Sequence, residues 1–393
     1  MNDFNYYAPT KVVFGKGAEQ KVGNLIKEQN CKKVLIHYGS GSARRSGLLD
    51  RIEAIFDKEG ITYVELGGVV PNPRLSLVYE GIALCKKENV DFILAVGGGS
   101  VIDSAKAIGY GVYNGGDVWD FYDFKRQAEG CLPIGAVLTI AAAGSEMSGS
   151  SVITKEDGQI KRGYSSNFSR ARFAVMNPEL TMTLPPYQTA SGCVDILMHT
   201  MERYFNQCDN MELTDGISES LMRTVMKNAK ILKDEPDNYD ARAEVMWAGR
   251  LSHNGLTGCG AVVGGDFASH ALEHEIGGLF DVAHGAGLAA LWGSWARFVL
   301  DARPARFAQF ATHVLGVTAG ADDTETALKG IKAMEDFYHS IDMPVSLSEL
   351  GVTPTPEQIR TMAEKCDIST HHNAGKVKHL SVEDMVAIYT TAL

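Results

Sequence analysis

Asp91-Phe92-Ile93-Leu94-Ala95-Val96-Gly97-Gly98-Gly99-Ser100-Val101-Ile102-Asp103-Ser104-Ala105-Lys106 is the stretch on which the fold turns. Its apolar run, bounded by a charge on one side and glycine on the other, reads as a strand buried on both faces. Three consecutive glycines then lead straight into a helical pattern. Backbone N–H groups left open at such a helix start hold a phosphate well.

Outward from this stretch the same unit recurs. Lys33 to Tyr38 reads as a strand, Gly39-Ser40-Gly41-Ser42 as a second glycine turn, and Leu48 to Lys58 as an amphipathic helix. Ile61 to Leu66 is another strand and Leu75 to Asn89 another helix. Lys11 to Phe14, Leu132 to Thr139 and Arg172 to Met176 add further strands, the middle one leading into the small-residue run Ala141 to Ser148. This alternation predicts a doubly wound, Rossmann-like parallel sheet. Prolines 178, 185 and 186 break the pattern, which puts the domain boundary there: 1–186 as an α/β nucleotide-binding domain and 187–393 as an all-α domain. The helical patterns beyond it run over Ala190 to Phe205, Glu212 to Lys233 and Ala241 to Gly255.

Composition narrows the function. The net charge of −11 comes without a basic block, which argues against a nucleic-acid partner. No apolar run reaches the roughly 18 residues of a membrane span, and Met1 to Tyr7 lacks the features of a secretory signal, so a cytoplasmic protein without a membrane partner is expected. The seven cysteines are scattered and include no Cys-x-x-Cys pair, which fits reduced thiols and neither a disulfide framework nor a thiolate metal site.

Each glycine turn alone is a weak signal, and Arg44 fails the Gly-x-Gly-x-x-Gly fingerprint. Two such turns at the carboxyl ends of parallel strands nevertheless give two anion-binding loops along one crevice, as a dinucleotide requires. Glu65 stands where a ribose-binding carboxylate would favour NAD. The Gly39 to Ser42 loop, with Arg44 and Arg45 beyond it, instead offers hydroxyls and cations that suit the 2′-phosphate of NADP.

The second domain concentrates histidine. Asp195 and His199 are i and i+4 on one helical face, and His270, His274 and His284 fall within fifteen residues. A carboxylate and three imidazoles converging in an apolar domain are costly to bury without a cation, and a set of Asp195, His199, His270 and His284 suits Fe2+ or Zn2+ with an open position for a substrate oxygen. A competing pattern is His270-Ala271-Leu272-Glu273-His274, an H-x-x-E-H string that in zinc peptidases makes both histidines ligands and the glutamate a base; it leaves both glycine turns without a purpose. His253, before Asn254-Gly255, has no role that the sequence compels.

The chain resembles the iron-containing, group III alcohol dehydrogenases, and within them the NADP-dependent butanol dehydrogenase and aldehyde reductase branch. The likeness runs end to end. It is carried by Phe14-Gly15-Lys16-Gly17, Tyr38-Gly39-Ser40-Gly41-Ser42, Gly97 to Asp103, Thr139 with Gly144-Ser145-Glu146, Asp195 with His199, and His270 to His284. The resemblance implies the dehydroquinate synthase-like architecture, with a nucleotide domain, a helical metal domain and a cleft between them. It maps the metal ligands onto Asp195, His199, His270 and His284, and leaves His274 as a proton relay near substrate. The implied cofactor positions are Gly39, Ser40, Gly41 and Ser42 at the adenosine end, Gly98, Gly99, Ser100 and Asp103 at the pyrophosphate, and Thr139, Ser148 and Lys161 further along. Relatives using NAD carry Asp where this chain has Gly39, which favours NADP(H) over NAD(H). The chain departs from the family pattern at Ala143, which replaces its usual Thr, at Ser148, which replaces the branch's more common Asn, and in the C-terminal His371-His372 segment.

The expected activity is reversible hydride transfer between NADP(H) and small aldehydes or primary alcohols, in a homodimer holding one divalent metal per chain. A glycerol or diol dehydrogenase using NAD, and a sugar-phosphate cyclase, share the fold and remain open at this stage.

Overall fold

The computed structural model describes residues 1–262 and 264–393. The chain divides into two compact units, Tyr7–Thr183 and Leu184–Leu393, the latter joined by Met1–Tyr6. Those first six residues, which the sequence assigns to the α/β part, group with the helical unit, where the Asn2 N–H donates to the Gly260 carbonyl at 3.0 Å.

The α/β unit contains β1 (Lys11–Phe14), β2 (Val34–Gly39), β3 (Tyr63–Val69), β4 (Phe92–Gly97), β5 (Ile134–Leu138), β6 (Ser150–Lys155), β7 (Ile160–Ser165) and β8 (Phe173–Met176). Six of them form one parallel sheet in the order β1-β8-β5-β4-β2-β3. Phe92, Leu94 and Val96 alternate along β4 and pack with Val34 and Ile36 against Leu48, Ile52 and Phe56 of the Leu48–Glu59 helix. The opposite face carries the Gly99–Asn114 helix. Both faces are therefore covered, and every β4 residue is buried.

The chain runs from β2 to β3 on one side and returns to place β4 on the other, so the strand order reverses between β2 and β4. Ligands of open α/β sheets bind outside the carboxyl ends of the strands at such a reversal. Tyr38 pairs with Val96, which sets the Gly39 to Ser42 turn beside the Gly97 to Ser100 turn.

The remaining strands, β6 and β7, form an antiparallel hairpin that the sequence reading did not identify. Its alternation of Ser, Lys, Arg and Thr with isolated apolar residues lacks the continuous hydrophobicity that marks the other strands.

The second unit is built from helices, among them Pro186–Tyr204, Glu212–Asp234, Tyr239–His253, Ala268–Phe280 and His284–Val299. Pro185-Pro186 opens the first, proline's missing N–H and fixed φ being tolerated in a first turn. No helix among the described residues is long and apolar enough to cross a membrane.

Candidate metal centre and nucleotide turns

Three helices of the second unit bring the acid and the histidines together. On Pro186–Tyr204, Asp195, His199 and Glu202 follow at helical spacing and are buried. On Ala268–Phe280, His270, Glu273 and His274 repeat the pattern. His284 starts the third helix after a turn through Asp281, whose φ is +53°. Small residues allow the close approach: a Cβ on Gly285 would overlap the Ser191 carbonyl, and one on Gly287 would sit 2.9 Å from Glu273 Cγ.

Asp195 Oδ1 is the focus of this site. His199 Nδ1 lies 2.8 Å from it, His284 Nε2 3.9 Å and His270 Nε2 4.0 Å. Among the described residues neither Asp195 Oδ1 nor His270 Nε2 completes a hydrogen bond, though both are buried. Buried polar atoms without partners are costly, and a carboxylate oxygen and an unprotonated imidazole nitrogen, both electron-pair donors, facing each other across 4.0 Å suit a divalent cation between them. Asp195, His199 and His270 offer ligand atoms all within 4.8 Å of one another. The residues present therefore fit the implied metal, with His284 approaching from the third helix.

Two buried glutamates orient the imidazoles. Glu202 Oε1 accepts from His270 Nδ1 and from the His270 backbone N–H, each at 3.0 Å. Glu273, fully buried, accepts a short hydrogen bond from His284 Nδ1. Each bond fixes a tautomer and turns Nε2 toward Asp195, as carboxylates behind metal-binding histidines do. Burial, reinforced by the neighbouring His199 and His284, drives His270 well below the ordinary imidazole pKa, so its ring is neutral. Burial acts to raise Asp195, but facing His199 and His284 outweighs it and leaves the carboxyl below its usual range. Glu202 is pushed well above its usual range by burial and by Asp266.

The sequence reading missed both glutamates as supports. Helical spacing carried the signal, since Glu202 is i+3 from His199 and Glu273 is i+3 from His270. The H-x-x-E-H reading needs His270 and His274 on one ion with Glu273 free to act as base. Instead His270 gathers with Asp195 and His199, while His274 gathers with Glu273 and His284. The His274 ring is 5.8 Å from that of His284, and the His253 ring is 4.0 Å from that of His199.

In the α/β unit, Gly39 ends β2 and Gly41, at φ +136°, turns the chain toward Ser42. A Cβ on Gly39 would lie 3.9 Å from Val101 Cγ2, one on Gly99 3.6 Å from the Ala143 Cβ, and one on Gly98 would overlap Ile140. The two glycine turns and the crossover after β5 thus converge, bringing Gly39, Gly98, Gly99, Ser100 and Thr139 into one neighbourhood. The Thr139 N–H donates to the Gly97 carbonyl at 3.0 Å. Asp103 is engaged within the protein, accepting from Ser145 Oγ at 2.6 Å and from the Val152 N–H at 3.0 Å. Ser148 is buried beside Ser150, and Lys161 stands on β7 opposite Thr154. Arg44, read from sequence as a cation for a phosphate, is bound by Asp50, Glu53 and Glu65.

Residues 9–178 match the family described as iron-containing alcohol dehydrogenase, and residues 189–393 the C-terminal part of the Fe-containing alcohol dehydrogenase family. The chain is 40% identical over 394 residues to the probable NADH-dependent butanol dehydrogenase 1 of Bacillus subtilis, covering 100% of both chains. It is 35% identical over 360 residues to the NADPH-dependent aldehyde reductase YqhD of Escherichia coli, covering 90% of each. Among solved structures, NADH-dependent butanol dehydrogenase A of Thermotoga maritima superposes with a TM-score of 0.96 at 38% identity, covering 100% of this chain and 99% of that one.

Proposed function

Since this chain belongs to the iron-containing alcohol dehydrogenase family, and is therefore an oxidoreductase acting on alcohols, we propose that it interconverts small aldehydes and primary alcohols with NADP(H). Alcohol dehydrogenase or aldehyde reductase chemistry, NAD(P)H and a divalent metal follow from the family.

The observation that carries the reading is the buried Asp195 Oδ1 ringed by nitrogens of His199, His270 and His284, two of them backed by buried glutamates. When bound, the cation supplies Lewis acidity at a carbonyl oxygen and the nicotinamide supplies or accepts the hydride. Asp195, His199, His270 and His284 would hold the cation. Glu202 and Glu273 keep His270 and His284 in the tautomer that presents Nε2. His274, half-buried and next to His284, is the group that hands a proton to the product oxygen in reduction and takes it back in oxidation. For the dinucleotide, the Gly98 turn offers its helix N-terminus to the pyrophosphate. The Gly39 to Ser42 loop has no carboxylate to repel a 2′-phosphate, and Arg45, whose Nη1 would stand 2.8 Å from a Cβ on Gly41, is a cation beside it. Arg44, already bound by three carboxylates, is not available for that role.

Oxidation of NADPH and of NADH by metal-loaded protein across an aldehyde series tests this. NADPH consumption with short primary aldehydes is expected. Consumption of neither cofactor with any aldehyde overturns the reading, whereas a preference for vicinal diols with NAD replaces it with a diol dehydrogenase.

A further inference from the structure

The helix that begins at the Gly98 turn carries a fully buried lysine for which the mechanism above has no use. Lys106 Nζ donates to the carbonyls of Ser145 at 2.8 Å, Ser148 at 3.0 Å and Ser150 at 2.6 Å, and lies 2.9 Å from Ser145 Oγ. An ammonium has three N–H groups, so these acceptors use all of them. One turn earlier on the same helix, Asp103 takes the Ser145 hydroxyl and the Val152 N–H. Arg170 adds a bond to the Met147 carbonyl at 2.6 Å.

These bonds tie the crossover between β5 and β6, a run rich in small residues with neither helix nor strand, to the start of β6. Such a segment has little side-chain packing of its own to offset the entropy of being fixed. It also abuts the glycine turn, through Ile140 at Gly98 and Ala143 at Gly99. Burying a lysine is costly, and an apolar side chain of equal length would take a donor from three carbonyls at once, leaving Ser145 and Ser150 only the longer bonds from the Ser148 N–H at 3.3 Å and the Ser148 hydroxyl at 3.4 Å.

We infer that Lys106 is a positioning residue for the dinucleotide: by drawing the carbonyls of residues 145, 148 and 150 onto one ammonium it fixes the crossover as a preformed wall beside the Gly97 to Ser100 turn. The inference rests on the nicotinamide-dinucleotide reading above. It also carries a pH dependence. Burial lowers the Lys106 pKa to about 8, with Asp103, Glu146 and Cys131 favouring its charge and Arg170 opposing it. Above that pH the neutral amine has only two N–H groups for the same acceptors, and the wall loosens.

The test uses full-length, metal-loaded protein and measures KM for NADPH and NADH, kcat at saturating cofactor, and direct cofactor binding by nicotinamide fluorescence. Lys106→Met is expected to raise cofactor KM and Kd about tenfold or more while kcat at saturation changes by less than about threefold, a split that general misfolding would not give. Ser145→Ala, which removes one acceptor and one donor, should raise them about threefold. In the wild type, cofactor KM should climb above about pH 8, and Lys106→Met should abolish that climb. Should Lys106→Met not fold, Ser145→Ala and the wild-type pH profile decide. Cofactor KM unchanged in the variants together with a flat wild-type profile overturns the inference; a wild type that binds neither cofactor overturns the dinucleotide reading itself, before any variant is compared.

Discussion

Replacing Glu202 with Gln should weaken metal binding without dismantling the site. Glu202 Oε1 receives two hydrogen bonds from His270, one from the backbone N–H and one from Nδ1, both at 3.0 Å. The first is present with or without a cation, so its loss cancels in the binding equilibrium. The second is coupled: without a cation, burial and Asp266 oppose the charge of Glu202, and a cation at Nε2 makes the Nδ1 proton more acidic, favours the ionised carboxylate and strengthens the bond between them. Bonds to charged groups contribute about 1.5–3 kcal/mol and neutral ones about 0.5–1.5 kcal/mol, so the charge removed is worth about 1–1.5 kcal/mol. At about 1.4 kcal/mol per tenfold, that predicts a metal Kd raised about tenfold, within the roughly 10–100-fold range of outer carboxylates behind metal-bound histidines. Glu202→Ala goes further. It orphans two buried donors, and at about 1–3 kcal/mol each the fold itself loses about 2–6 kcal/mol. Competition against a chelator of known affinity measures the first variant, and urea unfolding the second. A Glu202→Gln protein whose metal Kd stays within about twofold of wild type would refute the assigned role of this carboxylate, because removing such a support ordinarily has a larger effect.

Two further outcomes follow from the same geometry. His274→Ala should retain the metal and lose about 10²–10⁴-fold in turnover, the range for removal of a positioned proton donor, as read by elemental analysis and kcat together. In the α/β unit, His37 is buried between the Leu66 carbonyl at 2.8 Å and Ser104 Oγ at 2.9 Å, and burial lowers its pKa to about 4. Between about pH 6.5 and 4 the unfolded chain therefore binds a proton that the folded chain does not, so stability is complete above this window and falls as pH drops through it, by about 3 kcal/mol in all. The difference in urea midpoint between wild type and His37→Gln across those pH values isolates this contribution from that of the carboxylates.

What the sequence revealed and what it concealed divide along the range of the interactions involved. Strand, glycine turn and helix are local patterns, and β2, β4 and their turns were legible because Val34 to Ile36 and Phe92 to Val96 are unbroken apolar runs. The neighbouring placement of the two turns rests on the Tyr38–Val96 register and needed the sheet to be seen. The β6–β7 hairpin escaped because one face of each strand is polar and its core partner comes from elsewhere. Asp195 and His199 were readable from i,i+4 spacing, whereas their union with His270 and His284 depends on Gly285 and Gly287 letting helices approach. Glu202 carries no signal of its own in the sequence and Glu273 reads there as the base of an H-x-x-E-H string, yet both prove to be buried supports. Arg44 misled in the opposite direction: as a sequence residue it is a free cation, but Asp50, Glu53 and Glu65 have already claimed its charge.

The central claim, one catalytic cation held by Asp195, His199, His270 and His284, is tested most directly by metal stoichiometry paired with turnover in His270→Ala. Anaerobically purified wild type should carry about one Fe2+ or Zn2+ per chain and reduce aldehydes, and His270→Ala should lose both properties together, since the fourth ligand of such a site is supplied by this ring. A His270→Ala protein that keeps its metal and its aldehyde reductase activity would contradict the account.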